Sequence, residues 1–193
     1  MSAPRRVDQT LFRRASILVA VGDRGLRRTL RDVLLGMGFP TIYVSGTAAD
    51  TMRQIGEREP SVILLDNSLP GSDGLALTRR LRRHGGSYSA SPIVLMTAAP
   101  DLALVAAARD AGVNEIVVKP LSMEALILRL MHVLKMPRPF IRTSGFVGPD
   151  RRRIGERRRH ERRSEQPARL QQERRDKSSR RSGQDRRAGK GSA

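Results

Sequence analysis

From Ser16 to Leu134, short runs of branched apolar residues alternate with segments whose apolar positions recur every three or four residues. That alternation predicts strands joined by amphipathic helices, the pattern of an α/β domain with a parallel sheet. Ile17-Leu18-Val19-Ala20-Val21 is apolar throughout and stops at Gly22-Asp23, as a strand covered on both faces does. Leu26, Leu30, Val33, Leu34 and Met37 follow at helical spacing, with Gly36 and Gly38 as the stop. The unit then repeats. Thr41 to Val44 precedes a helix marked by Ala48, Met52 and Ile55 that ends before Pro60, and Ser61 to Asp66 precedes one that begins near Gly74 and carries Leu75, Leu77 and Leu81. After a Gly- and Ser-rich loop from His84 to Ser91, Ile93 to Met96 ends at Thr97 and leads to a short Ala-rich helix marked by Leu102, Val105 and Ala106. Glu115 to Val118 ends at Lys119-Pro120, and Met123 to Leu134 forms the last helix, with Ser122 as its N-cap. Five strand–helix units within residues 16–136 predict a small doubly wound domain on a five-stranded parallel sheet.

The flanks read differently. Residues 1–15 form an N-terminal extension, and 137–149 read as a linker because Pro137, Pro139, Gly145, Gly148 and Pro149 crowd it. From 150 to 193 the large apolar residues are Ile154 and Leu170, which cannot pack a core, so a basic disordered tail is expected. The tail repeats an acid followed by two arginines, as in Asp150-Arg151-Arg152 and Glu161-Arg162-Arg163, at irregular spacing. Of the formal net charge of +18, residues 16–136 supply +3 (14 Lys/Arg against 11 Asp/Glu) and residues 150–193 supply +10 (17 against 7).

Composition narrows the chemistry. The 193 residues include no Cys, which excludes a disulfide scaffold, a thiolate metal site and a cysteine nucleophile. Aromatics make up 3% and Trp is absent, so the core must be aliphatic. No apolar run approaches the roughly 18 residues of a membrane span, and the N-terminus lacks a signal-type apolar region, so a soluble cytoplasmic protein without membrane insertion is expected. His84, His132 and His160 share no metal-ligand spacing. Three strands end in a polar residue with chemistry to offer: Asp66 on the third, Thr97 on the fourth and Lys119 on the fifth. Ligands of doubly wound sheets bind at the carboxyl ends of strands, so a carboxylate, a hydroxyl and an ammonium should meet there.

These residues lie in recognisable frames: Leu64-Leu65-Asp66-Asn67-Ser68-Leu69-Pro70-Gly71-Ser72-Asp73-Gly74, Pro92-Ile93-Val94-Leu95-Met96-Thr97-Ala98 and Val117-Val118-Lys119-Pro120. In them the sequence over 16–136 resembles the response-regulator receiver domain, the chemotaxis-regulator-like module of two-component signalling with flavodoxin-like topology. The resemblance implies transfer of a phosphoryl group to Asp66 from a histidine kinase or phosphotransfer protein, with Thr97 bonding a phosphoryl oxygen and Lys119 neutralising charge. It implies signalling by protein–protein contact with a downstream target, not enzymatic turnover, and a cis peptide at Lys119-Pro120. The chemistry is coherent, since a carboxylate nucleophile forms an acyl phosphate and phosphoryl transfer rests on positioning and charge.

The sequence departs from the family at two places. Where the family carries the acidic pair that binds Mg²⁺, Val21 and Gly22 stand, with Asp23 one place later; Mg²⁺ held by Asp23, Asp66 and the Ser68 backbone carbonyl is then weak or lost. Ile116 stands where the family has an aromatic. The second functional reading is therefore a degenerate, phosphate-independent adaptor whose Arg-rich tail tethers it to nucleic acid or another polyanion. A flavin enzyme of this topology would need a phosphate-cradling loop that Val21-Gly22-Asp23-Arg24-Gly25 does not supply.

Overall fold

The computed structural model describes residues 9–143 and 145–150; the tail at 151–193 lies outside the described residues. The elements run α1 (Gln9–Phe12), β1 (Ser16–Ala20), α2 (Arg24–Gly36), β2 (Thr41–Ser45), α3 (Ala48–Arg58), β3 (Val62–Asp66), β4 (Ser68–Leu69), β5 (Ser72–Asp73), α4 (Gly74–Arg83), a 3₁₀ turn (Ser87–Ala90), β6 (Ile93–Thr97), α5 (Leu102–Ala111), β7 (Glu115–Val118), α6 (Met123–Lys135), β8 (Phe140–Arg142) and β9 (Val147–Pro149). Five parallel strands pair in the order β2-β1-β3-β6-β7. The doubly wound five-stranded sheet expected from the alternation is the one that forms.

Strand periodicity divides the core in two. Ile17, Val19 and Val21 face a layer built with Leu30 and Leu34 of α2 and Leu126, Leu130 and Val133 of α6. Leu18 and Ala20 face the opposite layer, with Ile55 of α3, Leu77 and Leu81 of α4, and Ala108 of α5. Because successive strand residues point to opposite faces, a strand in the middle of such a sheet must be apolar at every position. β3 and β6 are buried along their whole length. Helix starts are set by one recurring device: the side chains of Asp23, Thr47, Asp73, Asp101 and Ser122 each accept the backbone N–H three residues on.

The expected flanks need two corrections. Phe12 of the N-terminal extension is fully buried and stacks on Phe39 with ring centroids 4.8 Å apart, so the core recruits chain upstream of residue 16. The segment expected as a linker, 137–149, folds into an antiparallel hairpin, β8 with β9, which packs against α4. Asp150, the first residue of the expected tail, is buried and its N–H donates to the Pro139 carbonyl at 2.8 Å. The compact unit accordingly extends to Asp150.

Beneath the hairpin lies Arg82, 2% exposed. Its guanidinium donates to the Gly112 carbonyl from Nε (3.0 Å) and Nη2 (2.8 Å), to the carbonyls of Ser89 (2.6 Å) and Ser91 (2.9 Å), and to Asn114 Oδ1 (3.1 Å). The Phe140 ring covers it at 5.5 Å, and Arg142 approaches the same ring at 5.6 Å while donating to Ser89 Oγ at 2.6 Å. Burial lowers the Arg82 pKa to about 9, which leaves the group charged at neutral pH, where five donors meet oxygen acceptors.

Candidate functional site

Register brings the three polar strand ends together. β3 and β6 pair Asp66 with Met96, β6 and β7 pair Thr97 with Val118, and Lys119 follows directly on β7. Lys119 donates from its backbone N–H to the Thr97 carbonyl (2.8 Å) and from Nζ to Asp66 Oδ2 (2.6 Å), so its side chain reaches past the end of β6 to β3. Asp66 Oδ1 accepts the Ser68 N–H at 3.1 Å. Asp66 and Thr97 are 5% and 4% exposed, so a carboxylate and a hydroxyl lie nearly buried at the strand ends. The Thr97 hydroxyl accepts the Ala99 N–H at 3.3 Å, and the Lys119-Pro120 peptide is cis.

The loop after β3 is braced from several sides. Asn67 N–H donates to the Met96 carbonyl, Gly74 N–H to the Asn67 carbonyl, and the Pro70 carbonyl accepts from Ala48. Gly71 turns the loop at φ +91°, a conformation that favours glycine. Gly74 packs so closely under Asp66 that a Cβ there would lie 3.0 Å from the Asp66 carbonyl oxygen and 2.9 Å from Leu95. Asp73 and Gly74 therefore shape the loop and start α4, as a loop-to-helix turn requires.

The donors that remain do not make a Mg²⁺ site. A Cβ on Gly22 would lie 2.6 Å from Pro70 Cδ and 3.8 Å from the Ser68 carbonyl oxygen, so the Pro70 ring occupies the space over Gly22. The carbonyls of Val21 and Gly22 accept from the Arg27 guanidinium, the latter at 3.2 Å. Asp23 is an exposed N-cap whose Oδ1 accepts the Leu26 N–H at 2.6 Å. What the strand ends offer is one carboxylate already bonded to an ammonium, plus one backbone carbonyl, where Mg²⁺ asks for near-octahedral oxygen ligands. Among the described residues no three His, Cys, Asp or Glu side chains gather into a metal-holding group.

Sequence reasoning did not find the plug of Pro70 over Gly22 or the grip of Arg27 on the loop. A glycine at the end of an apolar strand, five residues before an arginine on the next helix, was the available signal. Ile116 is half-buried against the α3–α5 layer of the core.

A doubly wound sheet with a carboxylate, hydroxyl and ammonium at three strand ends is the architecture of a signalling receiver. The model of the response regulator receiver domain matches residues 17–131, and the chain belongs to that family. Among curated relatives, response regulator MprA of Mycobacterium sp. (strain KMS) is 31% identical over 134 residues, covering 69% of this chain and 54% of its own. DNA-binding response regulator MtrA of Mycolicibacterium smegmatis is 34% identical over 117 residues, 61% of this chain and 49% of that protein. The chain thus spans about half the length of the curated relatives it matches. Among solved structures, a two-component response regulator from Clostridium difficile (24% identity, TM-score 0.58, 63% of this chain and 97% of that one) shares the fold. Chemotaxis response regulator CheY4 of Vibrio cholerae (20% identity, TM-score 0.58, 62% and 98%) shares it too.

Proposed function

We propose that Asp66 accepts a phosphoryl group from a phosphohistidine of a kinase or phosphotransfer protein, and that the receiver then signals by contact with a downstream protein in the cytoplasm. The observation that carries this reading is the Lys119 Nζ–Asp66 Oδ2 bond of 2.6 Å with Thr97 on the intervening strand. Attack of an Asp66 oxygen on phosphorus forms the acyl phosphate as the bond from phosphorus to the histidine nitrogen breaks, and the imidazole leaves with a proton. Lys119 then changes partner from carboxylate to phosphoryl oxygens without leaving its place, which is the electrostatic stabilisation such a transfer needs. The Thr97 hydroxyl supplies a neutral donor to the same oxygens. The chain acts as a stoichiometric acceptor and not as an enzyme turning over a substrate. Incubation with acetyl phosphate, followed by intact mass, tests it: a labile addition of one phosphoryl group, lost in Asp66→Asn, supports the reading.

A second reading, the phosphate-independent adaptor, is favoured by one specific observation, the Pro70 ring over Gly22 where a metal-binding carboxylate would stand. It predicts no mass addition at any Mg²⁺ concentration and partner binding unchanged in Asp66→Asn. In both readings the Arg-rich sequence from 150 to 193 serves as a tether to polyanions, in keeping with 17 basic residues against 7 acidic. MtrA is a DNA-binding protein by name.

A further inference from the structure

We propose that the exposed face of α4 is a nucleic-acid-binding surface that grips the phosphodiester backbone, so that the folded receiver, and not the tail alone, contacts the polyanion. The inference is independent of what happens at Asp66.

α4 (Gly74–Arg83) contains no acidic residue. Arg79, Arg80, Arg83 and His84 are all exposed on it or at its end, and among the described residues none of the three arginines has an ion-pair partner. Arg53 pairs with Asp50 and Glu57 on α3, and Arg129 and Arg138 with Glu115 beside α6, whereas Arg24 and Arg28 on α2, like the α4 arginines, have no ion-pair partner among the described residues. Arg79 and Arg83 stand four residues apart with Arg80 beside them, so three guanidinium groups gather on the exposed side of the helix near its C-terminal end, where the helix dipole favours positive charge.

A shallow, open depression runs along Ala76, Arg79, Arg80, Arg83 and His84. Arg79 and Arg83 also line a neighbouring cleft of about 300 Å³, walled by Phe146 and Val147 of the hairpin and by Asp110, which pairs with Arg109. Phe146, half-buried in the hairpin, lines that cleft beside Arg79 and Arg83, and Tyr88, also half-buried, bonds His84 Nδ1 through its hydroxyl. Guanidinium forks in rows suit evenly spaced phosphates, and flanking rings suit bases.

A lipid surface fits less well, because the well-exposed large apolar residues are on other elements, such as Leu102 and Val105 of α5 and Leu128 of α6, and α4 offers none to insert.

The test compares full-length wild type with Arg79→Gln/Arg83→Gln and with Arg24→Gln/Arg28→Gln. The control pair removes equal charge from exposed positions on α2, across the sheet. Binding of a labelled mixed-sequence RNA of about 20 nucleotides is followed by anisotropy across a salt series. The α4 variant should lose about tenfold or more in affinity near 0.1 M salt and about 1.4 units of salt slope, with the α2 variant within about twofold of wild type. Arg79→Lys/Arg83→Lys should keep most of the affinity, and all variants should keep the wild-type circular dichroism. Unchanged binding by the α4 variant, or equal losses in both pairs, overturns the proposal. Displacement of the RNA by polyglutamate as readily as by unlabelled RNA of equal charge overturns the choice of partner, as does tighter binding to vesicles of phosphatidylglycerol than to RNA.

Discussion

Replacing Lys119 by Met removes the ammonium and keeps most of the side chain's length. In the wild type, Lys119 Nζ lies 2.6 Å from Asp66 Oδ2, and the Asp66 side chain is 7% exposed. Without Lys119, Oδ2 loses its only direct side-chain partner among the described residues and Oδ1 keeps the Ser68 N–H. A charge-assisted hydrogen bond of this kind contributes about 1.5–3 kcal/mol. Lys119 is itself partly in water, 24% exposed, so the lower half of that range applies and stability should fall by about 1.5–2 kcal/mol. A domain of this size has about 5–15 kcal/mol in hand and stays folded. The effect on rate is larger, because the ammonium faces charge that builds on the phosphoryl oxygens; losing one such group slows comparable reactions about 10²–10³-fold. The assay pairs thermal unfolding with a time course of intact mass in acetyl phosphate, for wild type, Lys119→Met and Asp66→Asn. A Lys119→Met protein that is destabilised as expected yet labelled at the wild-type rate would refute the reasoning, since Lys119 would then only neutralise a buried carboxylate.

Three further outcomes follow from the site and its supports. Gly22→Asp forces its Cβ to within 2.6 Å of Pro70 Cδ and should cost about 1–3 kcal/mol, most of it recovered in Gly22→Asp/Pro70→Ala; chemical denaturation measures both. Asp23→Ala should cost about 1 kcal/mol, the value of an N-cap, and leave the response of amide shifts near Asp66 to Mg²⁺ as it is in wild type. Arg82→Met orphans the carbonyls of Ser89, Ser91 and Gly112, while Asn114 Oδ1 keeps the Ile93 N–H, and should cost about 2–4 kcal/mol, with Arg82→Lys intermediate, as read from denaturant midpoints at unchanged m-value.

The central fold was legible because its signals are redundant. The interiors of β1, β3 and β6 are apolar at every position because both faces are covered, and α2 to α6 each begin at a capping residue, as at Ser122. The site was legible for a related reason: a polar residue closing an apolar strand has no room to point inward, so Asp66, Thr97 and Lys119 had to gather at the edge. Arg82 was not, since Arg79, Arg80, Arg82 and Arg83 look alike as composition. Its position gives it away only in hindsight: four residues beyond Thr78 and one beyond Leu81, it lies on the buried stripe of α4. The hairpin was missed because Pro139, Gly145, Gly148 and Pro149 signal breaks, while the apolar pairs Phe140-Ile141 and Phe146-Val147 are too short to carry a period. In this case local turn chemistry and tertiary docking on Arg82 outweighed composition.

A cut at residue 136, where α6 has ended, would strip Phe140 from the guanidinium of Arg82 and the Arg142 bond from Ser89, and would leave a buried charge open to water. The seam for swapping outputs, fusing reporters or expressing the receiver alone therefore falls after Asp150. Whatever follows that residue is inherited through a folded clasp, so any exchange of tails must carry the hairpin along with the receiver.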